Sequence, residues 1–212
     1  MSCRHSAFVL LLLAGACATA PARQQVPSLW GALQPGSHHA GFREVDNISI
    51  WYPAASGGRQ LRYRDYLGSL DELEALLHER QVSDQTMVEL FDTPMYAHRD
   101  ARASTGTSGL VIVALTGGQT AADLSILAEF LASHAYVVAA LPPSVATTKL
   151  KASFSQAQID GAQWLHNVNF SSLASASGRY PELAAAAKGD AREMTSLATR
   201  LLEFLDRHRI RD

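Results

Sequence analysis

Cysteine is almost absent from this chain of 212 residues, and both of its cysteines lie near the amino terminus. Cys3 and Cys17 fall within residues 1–22, a stretch typical of a targeting signal. Cleavage after Ala22 would leave a mature chain without cysteine, which excludes disulfides, thiolate metal ligands and a cysteine nucleophile. Any chemistry in such a mature protein must use other side chains.

Runs of like charge are also missing. The chain has 18 Lys and Arg against 20 Asp and Glu, a net charge of −2, and no basic cluster, so we expect no nucleic-acid partner. Arg4 is the one charged residue within residues 1–22, so the remainder has 17 basic and 20 acidic side chains, a net charge of −3. The length and the 47% hydrophobic content predict one globular domain over residues 23–212.

The longest apolar stretch at the amino terminus, residues 7–14, is too short to span a bilayer and instead indicates a secretion signal. Two processing routes fit it. In one, cleavage follows Ala20 or Ala22. In the other, residues 13–17 form an imperfect bacterial lipobox, with alanine where leucine is usual, and Cys17 is lipidated. We therefore predict a secreted or periplasmic protein, with membrane attachment through a Cys17 lipid as the alternative.

Residues 109–143 predict a βαβ unit around which the fold is organised. Residues 110–115 are a short apolar run typical of a strand buried on both faces. A glycine turn and a capping box of Thr120 and Asp123 then begin a helix, and residues 136–141 form a second apolar run. A helical crossover favours parallel strands with a right-handed connection, while an antiparallel pair is the less favoured alternative.

The flanking segments give weaker patterns. Before the central unit they predict short strands at residues 41–45, 48–52 and 61–66, helices at residues 70–77 and 82–91, and irregular structure over residues 93–108. After Pro143 no run predicts a strand, and helical patterns occupy residues 153–167, 180–188 and 190–205.

Three segments, in order over residues 29–143, resemble the α/β-hydrolase superfamily, in particular its dienelactone-hydrolase and platelet-activating-factor-acetylhydrolase-like branch. They are Gly41-Phe42-Arg43 with residues 48–54, similar to "VGFR … WYPA"; residues 92–101; and residues 110–142, similar to "PLVLFSHG … LAEFLASHGYVVAAPDH". The resemblance implies an α/β fold with a reduced, mostly parallel sheet flanked by helices. It also implies a carboxylic-ester or lipid-ester hydrolase without a cofactor.

The chain departs from that family at the positions where the family has its nucleophile motif and the residues that follow the third and fourth strands. No Gly-x-Ser-x-Gly occurs, so the motif that places a nucleophilic serine on a strand-to-helix turn is missing. The family's His-Gly after the third strand is Gly117-Gly118 here, and its Asp-His after the fourth is Pro142-Pro143. The resemblance therefore implies a degenerate hydrolase. The alternatives are a non-catalytic envelope protein that binds or scaffolds, or a gene remnant.

The segment after Pro143 aligns with the family in two ways. In one, residues 157–160 are the helix before the nucleophile strand, and the chain ends before that strand. In the other, which we favour because two matches keep family-like spacing, residues 166–173 resemble the catalytic-histidine segment and residues 202–208 the C-terminal helix. Both make the domain incomplete. The strand at residues 110–115 would then have an open edge, which predicts self-association.

The resemblance also supplies candidate site residues, each with a simpler structural alternative. Gly117, Gly118 and Gln119 would form an oxyanion loop, or a plain βα turn. The remaining candidates are His166 as general base, Asp160 as the triad acid and Ser144 as a substitute nucleophile, each otherwise a surface residue. The pair His38-His39 has no further ligand at metal-binding spacing, so we expect no metal site. A small ester or lipid is the expected ligand.

Overall fold

The computed structural model describes residues 28–106, 108–187 and 189–208, so the predicted signal and its Cys17 lie outside the described residues. The strands are β1 His39–Val45, β2 Ile48–Ser56, β3 Arg59–Arg62, β4 Pro94–Arg99, β5 Arg102–Ala103, β6 Gly109–Ala114, β7 Tyr136–Leu141 and β8 Gln163–His166. The α-helices are α1 Leu70–Glu79, α2 Asp84–Asp92, α3 Ala121–Ser133, α4 Gln156–Asp160, α5 Ser172–Ala176 and α6 Ala191–His208.

All of these strands join one sheet in the order β3-β4-β1-β2-β7-β6-β8, and β5 pairs with β2 off this path. The strands β7, β6 and β8 are parallel neighbours, as are β1 and β4, while the other ladders are antiparallel. Helices flank this mixed sheet. The predicted α/β, hydrolase-like fold class is therefore confirmed. No helix in the described ranges is long and apolar enough to cross a membrane.

The central βαβ unit is confirmed. Strands β6 and β7 pair in parallel from Gly109 opposite Tyr136 to Ala114 opposite Leu141. Helix α3 between them begins with the predicted capping box, in which the Thr120 N–H donates to the Asp123 carboxylate over 2.8 Å. The middle of β6 is buried on both faces, as its unbroken apolar run requires.

Strand β8 corrects the prediction that no strand follows Pro143. It pairs in parallel with β6 from Val111 opposite Gln163 to Ala114 opposite His166, so the edge of β6 that was expected to lie open is covered. Both alignments of this segment imply an open edge, so both are wrong on this point. Four residues with the sequence QWLH give no periodic signal, because such a short strand is defined by its neighbour.

Residues 93–108 were expected to be irregular but contain β4 and β5. Strand β4 is parallel to β1, with Ala97 opposite Ala40, and antiparallel to β3. Its residues Met95, Tyr96 and Ala97 are buried, but the polar and charged residues that follow hide this short apolar run in the sequence.

Hydrophobic cores lie on the two faces of the sheet. The larger one packs the sheet against α3, α5, α6 and the 3₁₀ turn Ser28–Trp30, and it includes Trp30, Val111 and Leu127. The smaller one packs Ile50 and Ile112 of the sheet with residues of the segment that precedes β8. Helix α3 is buried from Leu124 to Ser133, which makes it the central helix of the domain.

A buried carboxylate on α3 links the larger core together. Glu129 is 0% exposed and accepts four hydrogen bonds. Its Oε1 accepts from the Tyr66 hydroxyl over 2.7 Å and the Ala97 N–H over 3.0 Å. Its Oε2 accepts from the Trp30 indole over 3.1 Å and the Tyr96 N–H over 3.0 Å. The segment before β1, the turn before α1, and β4 are thus all tied to one side chain.

The ionisation of Glu129 reflects two opposing effects. Burial raises the pKa of this carboxyl from its ordinary value of 4.5 to about 7 because it penalises the charged form. The four hydrogen bonds favour the charged form and hold the pKa down against that effect, with the bond from Tyr66 the largest of them. The same carboxylate raises the pKa of Tyr66 well above 10, although desolvation is the larger cause.

Replacing Glu129 with alanine should lower the free energy of unfolding by about 4 kcal/mol, because four buried donors lose their acceptor. Urea unfolding at pH 8, followed by circular dichroism, measures this loss. Glu203→Ala on the exposed side of α6 is the matched control, with a change below about 0.5 kcal/mol. A loss below about 1 kcal/mol in the Glu129 variant would contradict the central role of this carboxylate.

The native pKa of Glu129 lies above its unfolded value, so the native state binds the proton more tightly. The free energy of unfolding should therefore increase as the pH falls from above 7 towards 4.5, by as much as about 3 kcal/mol. Unfolding curves of the wild type and of Glu129→Gln at several pH values isolate this contribution as their difference. A difference that stays flat over this window would show that the proton is not taken up there.

Candidate functional site

The parallel strands β7, β6 and β8 bring their carboxyl ends to one edge of the sheet, which is where open α/β sheets bind ligands. We call this the carboxyl edge. Five predicted site residues follow or end these strands there: Gly117, Gly118, Gln119, Ser144 and His166. Asp160 lies apart from them because α4 precedes the amino end of β8. Its carboxylate accepts a hydrogen bond from Gln156 over 2.8 Å.

The predicted oxyanion loop is a tight turn. The Gln119 N–H donates to the Thr116 carbonyl over 3.0 Å, and Gly118 has a φ of 85°, which glycine adopts without strain. Gly117 and Gly118 are exposed, and their N–H groups have no hydrogen-bond partner within the described ranges. Two of the three backbone donors thus remain available to a ligand, while that of Gln119 is used by the turn.

The Gln119 side chain joins two loops of the carboxyl edge. Its Oε1 accepts from the Thr116 N–H over 3.1 Å and from the Thr116 hydroxyl over 2.9 Å. Its Nε2 donates to the Val168 carbonyl over 2.9 Å. The loop after β6 is therefore fixed to the loop after β8, and the Gln119 amide has a structural role.

His166 ends β8 and is exposed. Its ring lies nearly parallel to that of Trp164, with 12° between the planes and 6.3 Å between the centroids. Leu165 between them packs against the larger core, so both rings project from the opposite face of the sheet. In the part of the chain that the structure describes, no hydroxyl or carboxylate hydrogen-bonds to His166. Ser144 is likewise exposed and makes no hydrogen bond there.

Asn167 follows His166 in the segment that resembles the family's catalytic-histidine segment. It follows β8 with a φ of 55°, a left-handed conformation that asparagine adopts more readily than most residues. It turns the chain out of the sheet toward α5. An amide cannot accept a proton from a nucleophile at neutral pH, so this position supplies no general base.

A serine–histidine contact that the sequence did not suggest lies elsewhere. His38 Nδ1 is 3.3 Å from the Ser104 hydroxyl, and both residues are half-buried. The pairing of β5 with β2 brings them together, because Ser104 follows β5 and its N–H donates to the Pro53 carbonyl. The His38-His39 pair is not part of any metal-binding cluster among the described residues.

Removal of the Gln119 amide should loosen the carboxyl edge. Gln119→Ala leaves the Thr116 N–H and the Val168 carbonyl without these partners, which should lower the free energy of unfolding by about 1–2 kcal/mol. Amide hydrogen exchange at Thr116 should quicken. Gln85→Ala, which removes an exposed amide bonded to Glu89 on α2, is the control and should change stability by less than about 0.5 kcal/mol. Unchanged exchange at Thr116 would contradict the linking role.

No protein-family model matches the chain, and no curated protein matches it. Among solved structures, the chain is similar to a ferulic acid esterase from Streptomyces cinnamoneus, with 26% sequence identity and a TM-score of 0.33. The match covers 44% of this chain and 24% of the esterase chain, so this chain spans about a quarter of that protein.

Proposed function

We propose that this protein is a secreted α/β-hydrolase-like protein of the dienelactone-hydrolase and platelet-activating-factor-acetylhydrolase-like branch, and that it binds a small ester or lipid without cleaving it. One observation carries the proposal. The carboxyl edge holds a glycine turn with two available N–H groups, but its histidine lies beside Trp164, and no nucleophile or carboxylate of the described residues hydrogen-bonds to it. Secretion through residues 1–22 and lipidation of Cys17 stay predictions.

Acyl transfer by the serine mechanism needs a nucleophile hydrogen-bonded to a base and a third group that orients the base. Ser144 follows β7 without a bond to His166, and Asp160 lies towards the other end of β8. The N–H groups of Gly117 and Gly118 can still donate to a carbonyl oxygen. Such an edge can bind an ester but has no assembled group to attack it.

A second candidate function is hydrolysis at Ser104, favoured by the 3.3 Å contact of its hydroxyl with His38. A serine within reach of a histidine ring is the first requirement of a nucleophile and base pair. No carboxylate bonds to His38 within residues 28–106, 108–187 and 189–208, so the orienting group of a triad is missing there. This candidate therefore ranks below the binding function.

Ester turnover and active-site labelling distinguish the two candidates. We expect p-nitrophenyl acetate and butyrate to be hydrolysed no faster with the purified protein than in buffer alone. We also expect a fluorophosphonate probe not to label the protein, because no serine at the carboxyl edge is activated. Labelling at Ser104 that Ser104→Ala abolishes would establish the second candidate. Labelling at Ser144, with turnover lost in Ser144→Ala but kept in Ser104→Ala, would overturn the proposal and show that the edge is catalytic.

A further inference from the structure

A cluster of arginines lies at the edge of the sheet farthest from β8. Strand β3 is the outermost strand there, and the 3₁₀ turn Tyr63–Tyr66 follows it directly. We call the cluster the arginine edge; it consists of the guanidinium groups of Arg59, Arg62, Arg64 and Arg99 with the carboxylates of Asp65 and Asp92. These four positive and two negative groups give a local net charge of +2, whereas the whole chain has a net charge of −2.

Arg59 and Arg99 are direct partners in the antiparallel ladder of β3 and β4, so their side chains leave the same face of the sheet. Like charges directly opposite each other repel and need an anion nearby. The Asp65 carboxylate accepts two hydrogen bonds from the Arg59 guanidinium, over 3.0 and 3.3 Å. Burial acts to raise the pKa of this carboxyl, but its hydrogen bonds and the charges of Arg59 and Arg99 lower it below the ordinary value. One carboxylate is thus shared by two guanidinium groups.

The donors of Arg99 remain available to a ligand. Its guanidinium is half-buried and lies over the Phe42 ring, 5.3 Å from the centroid. Among the described residues it forms no ion pair and donates no hydrogen bond. The next residue, Asp100, lies near Tyr52, whose side chain is on the opposite face of the sheet. A planar guanidinium with five N–H groups can bind two oxygens of one anion at once.

We propose that Arg59 and Arg99 form a binding site for a phosphate group, either of a soluble phosphate monoester or of a lipid headgroup. A phosphate monoester carries nearly two negative charges at neutral pH and matches the local charge of +2, whereas a carboxylate carries one. Arg59 uses two of its five N–H groups on Asp65, so both arginines can donate to the same phosphate. The site lies at the far edge from Gly117 and Gly118, so it does not depend on the proposed ester binding.

Protection of an edge strand is the simpler role for these arginines, because charged side chains on an outer strand prevent pairing with another chain. That role accounts for Arg59 and Arg62 on β3. It does not account for Arg99, because β4 has β3 on one side and β1 on the other and is therefore not an edge strand. A half-buried guanidinium inside the sheet favours a bound anion over edge protection.

Isothermal titration calorimetry with phenyl phosphate on the full chain tests the site at pH 8. We expect a dissociation constant of about 1 mM or lower, and benzoate should bind at least about tenfold more weakly. Arg99→Met keeps an apolar side chain over Phe42 and should weaken phenyl phosphate by about tenfold or more. Arg59→Gln should weaken it by about fivefold. Arg200→Gln, which removes one positive charge from the exposed side of α6, is the matched control, with a change below about twofold.

Asp65→Asn should have the opposite effect. The asparagine keeps an oxygen for the Arg62 N–H but no longer neutralises Arg59, so phenyl phosphate should bind about threefold more tightly. Weaker binding in this variant, no binding to the wild type, or equal binding to the wild type and Arg99→Met would each overturn the inference.

Sedimentation with lipid vesicles distinguishes the two sources of the phosphate group. Vesicles of phosphatidylcholine with phosphatidic acid should bind the wild type but not Arg99→Met if the ligand is a lipid headgroup. Binding of phenyl phosphate without binding to these vesicles would assign a soluble monoester. Vesicle binding that Arg99→Met and Arg200→Gln reduce equally would show only a general effect of charge and would contradict the site.

Discussion

The hydrogen bonds to Glu129 are the constraint on which the rest of the structure depends. A carboxylate with no exposed surface is stable only where donors replace its lost water, and here every donor comes from a different part of the sequence than α3. Aromatic packing surrounds it: the Trp30 ring packs against Tyr96 at a tilt of 45°, with centroids 4.8 Å apart, and meets Phe130 edge-on. The Trp51 indole N–H donates to the Tyr66 hydroxyl, which in turn donates to Glu129. The position of α3 on the sheet is thereby fixed.

The central part of the fold could be predicted because its signals are local. The apolar run of residues 110–115 that forms most of β6, a capping box and a second apolar run in β7 specify a βαβ unit without reference to the rest of the chain. Strands β4 and β8 could not be predicted in the same way. Each owes its conformation to the neighbour that it pairs with, and pairing of distant segments leaves no periodic pattern in a four- to six-residue stretch. For the same reason, the sequence did not indicate that β8 covers the edge of β6.

The candidate site likewise has one part that could be predicted from the sequence and another part that could not. The turn at Gly117 and Gly118 was predictable, because a glycine pair after a buried strand implies a tight βα turn. The arrangement of Trp164 beside His166 depends on which face of β8 each side chain occupies, and that follows from the register with β6. The contact of His38 with Ser104 depends on the pairing of β5 with β2. Residue types indicated possible chemistry, whereas the sheet determined which residues could meet.

The 3₁₀ turn that begins the described chain has a consequence for the order of folding. Its hydrogen-bond partners are far away in sequence. The Trp30 indole N–H donates to Glu129, 99 positions later, and the Leu29 carbonyl accepts from the Ser175 hydroxyl, 146 positions later. Closing such long loops is entropically unfavourable until the intervening chain is organised. Residues 28–30 are synthesised before the segments that they contact and are thus among the last to reach their native surroundings, and a nascent chain that stops before α5 still lacks the donor to the Leu29 carbonyl.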